Sequence, residues 1–358
     1  MNTVELLNDS NIENLRDLAR FHNCQCNQHS KLELMKHIQA ALRSRHRFVD
    51  QWKGLSGSHK RFLQHIVYDY RERFVVDDLL QRAATAAYDS GARKQASNIL
   101  AEFKVRGWLF EGMSGGERQM FRMPHDLQHF YVRLLKEELA SELVFASEPP
   151  EYREEKRWLM EDVRLFLVFV GERGLDLTQS GAIQKRWLQQ FMRQCRVAES
   201  LQLSGFRFGY GRSHHEYPGR FALLYDFCYA QQWIVETDQR LMLSESGKQM
   251  VFAMTGPNLN EEYSQLLLHF WLRTYRRAVP NLAAVVRMIV QLCERWVVAS
   301  SLIAALRLFV KPYYYDDAEQ VLALRILPMM ISFGLLRVAS GDDTELLVQS
   351  TDERFMIR

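Results

Sequence analysis

Three stretches of this chain share one order of parts. "GWLFEGMSGGERQMFRM" at 107–123, "QWIVETDQRLML" at 232–243 and "GLLRVASGDDTELLV" at 334–348 each set two short runs with apolar residues around a polar tip. Each follows an amphipathic stretch that ends just before it. A chain that repeats helix then hairpin three times is confined to small α+β domains in which short helices share a core and a hairpin closes its open side.

The preceding elements repeat as well. Leu63, Ile66, Val67 and Tyr70 fall at i, i+3, i+4, i+7, and so do Val163, Phe166, Leu167, Val170 and Val286, Ile289, Val290, Cys293. That spacing puts four apolar side chains on one helical face. A short extended piece follows each (Phe74-Val75, Leu175–Leu177, Trp296–Val298), then a second helix beginning near Asp77, Ala182 and Ser300. The third helices carry Ala96, Ile99, Leu100, Phe103, then Phe221, Leu224, Tyr225, Cys228, then Ile326, Met329, Met330, Phe333. Helix, strand, helix, helix, strand, wing, strand is the order of a winged helix. The expected fold class is mainly α (α+β): tandem winged-helix domains with small β-hairpin wings, preceded by a helix-loop-helix module. Pro149, Pro150 and Pro257 lie between repeats, where a missing N–H harms no helix. Helical connectors are expected over 127–145 and 261–278, and Pro328 should kink the last third helix.

The N-terminus differs. Ile12, Leu15 and Leu18 share one helical face, and Ser30 is placed to cap a second helix containing Leu34 and Ile38. With its own apolar set and the polar stretch "QWKGLSGSHK" at 51–60 behind it, this pair should be separable from the rest. The expected divisions are 1–48, 57–145, 156–255 and 261–358.

The helix pair resembles the SAP-type DNA-binding module, with "HNCQCNQH" where that family has glycines. "LDLTQSGAIQKRWLQQF" at 175–191, "LAEFKVRGWLF" at 100–110 and the SAP-like start together resemble the N-terminal, non-motor part of XPB-type helicases. The resemblance implies an architecture; a motor is not expected, since no G-x-x-x-x-G-K-[ST] loop exists to cradle phosphates.

Net charge is only +3, but it is unevenly spread: ten basic against four acidic side chains between Lys31 and Arg73 give that stretch +6. A polyanion would therefore meet the N-terminal half. A winged helix that reads DNA needs basic or amide side chains on the outward face of its third helix. The first repeat offers Arg93, Lys94, Gln95 and Asn98 there, with Arg118 in the wing; Lys31, Lys36, Arg43, Arg45 and Arg47 extend the basic surface. The second and third repeats offer "YPGRFALLYDFCYAQQ" and "DDAEQVLALRILPMM", aromatic and acidic in turn. The expected function is a non-enzymatic DNA-binding protein of transcription or DNA repair. Its partners would be double-stranded DNA and a protein of the helicase, nuclease or transcription class. The alternative is a protein adaptor without DNA binding.

Other clusters suit structural roles. His22, Cys24, Cys26 and His29 are zinc-ligand types, but their spacing is too tight to wrap a tetrahedron, and a polar loop is expected. His214, His215 and Glu216 lack a second cluster, and "FGYG" and "MSGG" read as turns. Tyr313, Tyr314 and Tyr315 stand beside Asp316 and Asp317, which would repel phosphates. No cofactor, metal or catalytic residue is expected. An odd number of cysteines, five, mostly embedded among apolar residues, no run of about 18 apolar residues and a polar N-terminus read as a cytoplasmic protein, nucleoid-associated if it binds DNA.

Overall fold

The computed structural model describes the chain except residues 72, 90–91, 113–119, 202–216, 255–258, 342–344 and 353–358, and the side chains of 92–94, 259 and 260. The fold is mainly helical with small antiparallel sheets, none closed into a barrel. It divides into two compact units: Met1–Leu143 with Ala283–Met288, and Val144–Leu282 with Ile289–Arg358.

The first unit runs α1 (Thr3–Asp9), α2 (Ile12–Phe21), α3 (Lys31–Leu42), α4 (Arg45–Gly54), α5 (Gly57–Val67), β1 (Phe74–Val75), α6 (Val76–Ala86), α7 (Ala92–Val105), β2 (Phe110–Gly112), β3 (Met120–Arg122) and α8 (His125–Ala140). Ser30 caps α3 through the Glu33 N–H, as its position suggests. Helix α1 lies outside the expected elements, although Asn2 and Glu5 form a capping box at its start.

The stretch 51–60 is not a linker. Helix α4 crosses into it, Trp52 and Leu55 are buried, and Ser56 caps α5. Phe48 and Trp52 of α4 join Phe62 of α5, Phe103 of α7, Trp108 and Tyr131 of α8 in one aromatic core: Phe62 and Phe103 meet edge to face at 4.7 Å, and Phe48 and Tyr131 stack at 4.7 Å. Polar ties reinforce it. Tyr131 donates to the Leu42 carbonyl at 3.2 Å, and the Thr3 hydroxyl donates to the Asp126 carboxylate at 2.8 Å. The N-terminal helices thus share a core with the first repeat.

The second unit contains α9 (Trp158–Arg173), β4 (Leu175–Asp176), α10 (Lys185–Met192), α11 (Gly219–Ala230), β5 (Ile234–Glu236), β6 (Arg240–Leu243), α12 (Glu245–Ala253) and α13 (Leu259–Tyr275). It continues through α14 (Leu282–Leu292, whose residues 283–288 group with the first unit), β7 (Val297–Val298), α15 (Ala299–Leu306), α16 (Ala318–Val321), α17 (Leu327–Ser332), β8 (Leu336–Ser340) and β9 (Leu346–Ser350). A π-helical turn, Leu322–Ile326, separates α16 from α17 immediately before Pro328. Pro328 cannot donate to the carbonyl of Leu324 and its ring crowds that group, so the helix widens there.

The three sheets have one topology. In each the first strand pairs with the third and the third with the second: β1-β3-β2, β4-β6-β5, β7-β9-β8. Each helix before a hairpin also ends alike. Residues Gly107 (φ 71°), Gln232 (φ 59°) and Gly334 (φ 66°) are left-handed, and the next N–H, of Trp108, Trp233 and Leu335, reaches back to the carbonyl of Phe103, Cys228 and Met330. This closes the orphan carbonyls of the last turn and throws the chain into the hairpin. Only the middle repeat does so without glycine.

Segment 144–153, whose Pro149 and Pro150 suggest a connection between repeats, is instead a strap on the third sheet. Phe145 bridges to Val297 on the β7 edge and Arg153 to Val338 on the β8 edge. Both outer edges of that sheet are thereby paired, which satisfies their backbone groups.

Candidate nucleic-acid interface

Helix α7 forms because Ala96, Ile99, Leu100 and Phe103 bury one stripe against the aromatic core. Its other side is open. Ser97, Asn98, Ala101, Glu102 and Val105 are exposed, and Gln95 is half-buried on the flank, its Oε1 without a hydrogen-bond partner among the described residues. Small side chains at 97, 98 and 101 let another surface approach the helix closely. Glu102 is the one carboxylate on this face, 3.2 Å from His59 Nε2 and 3.4 Å from Arg106. The side chains of Arg93 and Lys94, and all of Arg118, lie outside the described residues.

The other expected contact residues sit on α3 and α4, and several are engaged within the chain. Lys31 donates to the Asn8 carbonyl at 2.6 Å, Arg43 pairs with Asp126 at 3.0 Å and Arg45 with Glu137 at 3.1 Å. Arg47 donates to the His22 carbonyl. Arg61 is buried against Asp89 and the Ala86 carbonyl, and Arg71 bridges Asp69 and Asp78. From the +6 stretch, Lys36, Lys53 and Arg73 are exposed with no such partner among the described residues. The exposed pairs at Arg43 and Arg45 are weak enough, about 0 to 1 kcal/mol, to open toward a stronger anion. Arg61, fully enclosed, is structural.

In the second unit α11 is closed, and the last third helix is closed only in part, with Leu324 and Pro328 exposed. Every residue of α11 from Arg220 to Cys228 is buried, and α17 buries Leu327 and Met329–Ser332. Arg220 is not a surface cation: its Nη1 donates to Glu155 at 2.8 Å and its Nη2 to Asp162 at 2.7 Å, all three enclosed. Burial pushes the Asp162 carboxyl up from its ordinary value, against the pull of Arg220. These partners stand 65 and 58 residues away in sequence, so no local pattern could have announced them.

The His/Cys loop does not converge. His22 turns inward and its Nε2 lies 3.0 Å from the Arg106 carbonyl, while His29 faces Arg16. Among the described residues no group of three or more His, Cys, Asp or Glu gathers as a metal site. His214, His215, Glu216 and the "FGYG" and "MSGG" glycines lie outside the described residues. Tyr313 and Asp316 bridge across a tight turn whose tip, Tyr314 and Tyr315, is exposed, and Asp316 is held by Arg325 at 3.0 Å. No helix among the described residues is long and apolar enough to cross a membrane. Comparison with protein-family models, with curated proteins and with solved structures returns no match.

Proposed function

We propose that the chain is a non-enzymatic DNA-binding protein of transcription or DNA repair. In this reading it comprises three tandem winged helices behind an SAP-like helix-loop-helix, contacts duplex DNA through its basic N-terminal half and holds a protein partner through the later repeats. The strand order and the helix-before-hairpin arrangement support the winged-helix assignment. One observation carries the DNA reading: α7 keeps an open outward face of small and amide side chains, while α11 is enclosed from Arg220 to Cys228 and the last third helix exposes only apolar Leu324 and Pro328 beside its acidic start. The third helix is the one a winged helix lays in the major groove. In this reading Lys36, Lys53 and Arg73, with the openable pairs at Arg43 and Arg45, supply phosphate contacts from the same unit.

A protein-adaptor reading is favoured by a different observation. Arg47, Arg61 and Arg71 are committed within the chain, so the formal +6 of this stretch overstates what it offers to a polyanion. Titrating a labelled duplex with the full chain at several salt concentrations separates the two. DNA binding predicts a steep fall of log K with log salt, with a slope of about −0.9 per phosphate contact. Binding that is absent at low salt supports the adaptor.

A further inference from the structure

The second unit holds a cleft of about 410 Å³, within the usual range for small-molecule sites. Its apolar wall includes Leu324, Met329, Ile331 and Leu346, of which Leu324 and Leu346 are 57% and 46% exposed at its mouth. The polar wall contains three arginines and two glutamates, and their hydrogen-bond valence decides what is left over.

The acceptors are used. Glu155, 2% exposed, gives Oε2 to Arg220 at 2.8 Å and faces Arg153 Nε with Oε1 at 3.1 Å. Glu199 takes the backbone N–H groups of Arg220 and Phe221 on its two oxygens, both at 2.9 Å, so a carboxylate already caps the first turn of α11. Donors remain. Arg153 is engaged at Nε, and its two Nη groups have no partner among the described residues; its side chain is 56% exposed. Ser332 lines the cleft, is only 8% exposed, and its hydroxyl has no hydrogen-bond partner among the described residues.

We propose that this cleft binds a small amphipathic anion, a carboxylate or phosphate monoester on an apolar body, with the anion on Arg153 and Ser332 and the body on Leu324, Met329 and Ile331. Leftover donors beside an apolar wall select an acceptor with a greasy body. A cationic head would find both glutamates already saturated and Arg153 repelling it. The proposal stands apart from the DNA reading, which concerns the first unit.

Calorimetric titration of the full chain with octanoate, octyl phosphate, octylammonium and 1-octanol, each below its aggregation concentration, tests it. One or both anions should bind saturably with a stoichiometry of one and raise the melting temperature, and the anion that does so identifies the head group. Octylammonium and octanol should bind at least tenfold more weakly. Arg153→Gln, at an exposed side chain, should weaken the anion roughly tenfold to a hundredfold, the loss expected for a hydrogen bond to a charged group. Leu324→Glu, also at an exposed position, should weaken it through charge at the mouth without unfolding the chain. Saturable binding of neither anion, equal binding of all four probes, or an anion affinity unchanged in both variants would overturn the assignment.

Discussion

Helices α7 and α11 occupy the same place in two copies of one design, yet α7 has an open side and α11 has none. The difference lies in composition around the helix. In α7 the apolar residues keep to one stripe, with serine, asparagine and alanine opposite. In α11, "GRFALLYDFCYA" is apolar nearly all round, and its one arginine is neutralised by two buried carboxylates. Apolar spacing decides that a helix forms; the residues opposite the stripe decide whether it meets water or protein.

The largest expected effect comes from removing residues 1–54. This strips Phe48 and Trp52 from the core on which α7 rests, and losses of about 3 to 5 kcal/mol for each large aromatic exceed what most domains can spare. Hydrogen exchange should show α7 amides unprotected and α11 amides still protected. Protection of both would mean the N-terminal helices are separable after all.

Arg220→Ala comes next. It leaves Glu155 and Asp162 enclosed without their cation, a change that costs about 3 to 5 kcal/mol. Denaturant unfolding should show the loss in the second unit, whereas Ala at Arg93 and Lys94 should leave stability within about 0.5 kcal/mol. Equal losses would erase the distinction between Arg220 and the α7 pair.

The helix ends sharpen the comparison further. Gly334→Ala places a Cβ at positive φ and 2.4 Å from the Lys156 Cα, so a loss of roughly 2 to 4 kcal/mol is expected. Gln232→Gly should instead gain about 0.5 to 1 kcal/mol, because the left-handed strain disappears. Thermal unfolding of both variants checks the opposite signs.

The smallest effect is a pH dependence in the first unit. Burial holds the His22 imidazole below its ordinary value, so the unfolded chain binds more protons there. The stability this neutral histidine allows is complete above the unfolded value near 6.5 and is lost as pH falls from there toward the lower folded value. His22→Gln should flatten the decline of melting temperature between about pH 7.5 and 5. An unchanged slope would assign the pH dependence to other groups.

Much of the fold is legible in the sequence because its helices are bound by periodic apolar residues. The three first and three third helices, the Ser30 cap and the break at Pro328 all follow from local patterns. What local pattern does not hold is pairing at a distance. The strap that joins Phe145 to Val297 and Arg153 to Val338 reads as a proline linker, since extended backbone has the same composition whether or not a sheet edge receives it. The N-terminal arginines read as a phosphate surface because Asp126 and Glu137, which hold Arg43 and Arg45, lie 83 and 92 residues on. Residues Ser97, Asn98 and Ala101 are legible as an open face because their neighbours at 96, 99, 100 and 103 fix the stripe.

The central claim is that α7, and not the second unit, meets DNA. Its most direct test is one protein carrying two alternative charge removals: Arg93 and Lys94 to Ala in α7, or the exposed Arg276 and Arg277 to Ala in the second unit. Both remove two positive charges, so a nonspecific charge effect weakens duplex binding equally. The account predicts that the α7 pair weakens binding and lowers the salt slope by about 0.9 for each phosphate no longer neutralised, while the second pair leaves both nearly unchanged. Equal weakening by the two pairs, or none from the α7 pair, would contradict it.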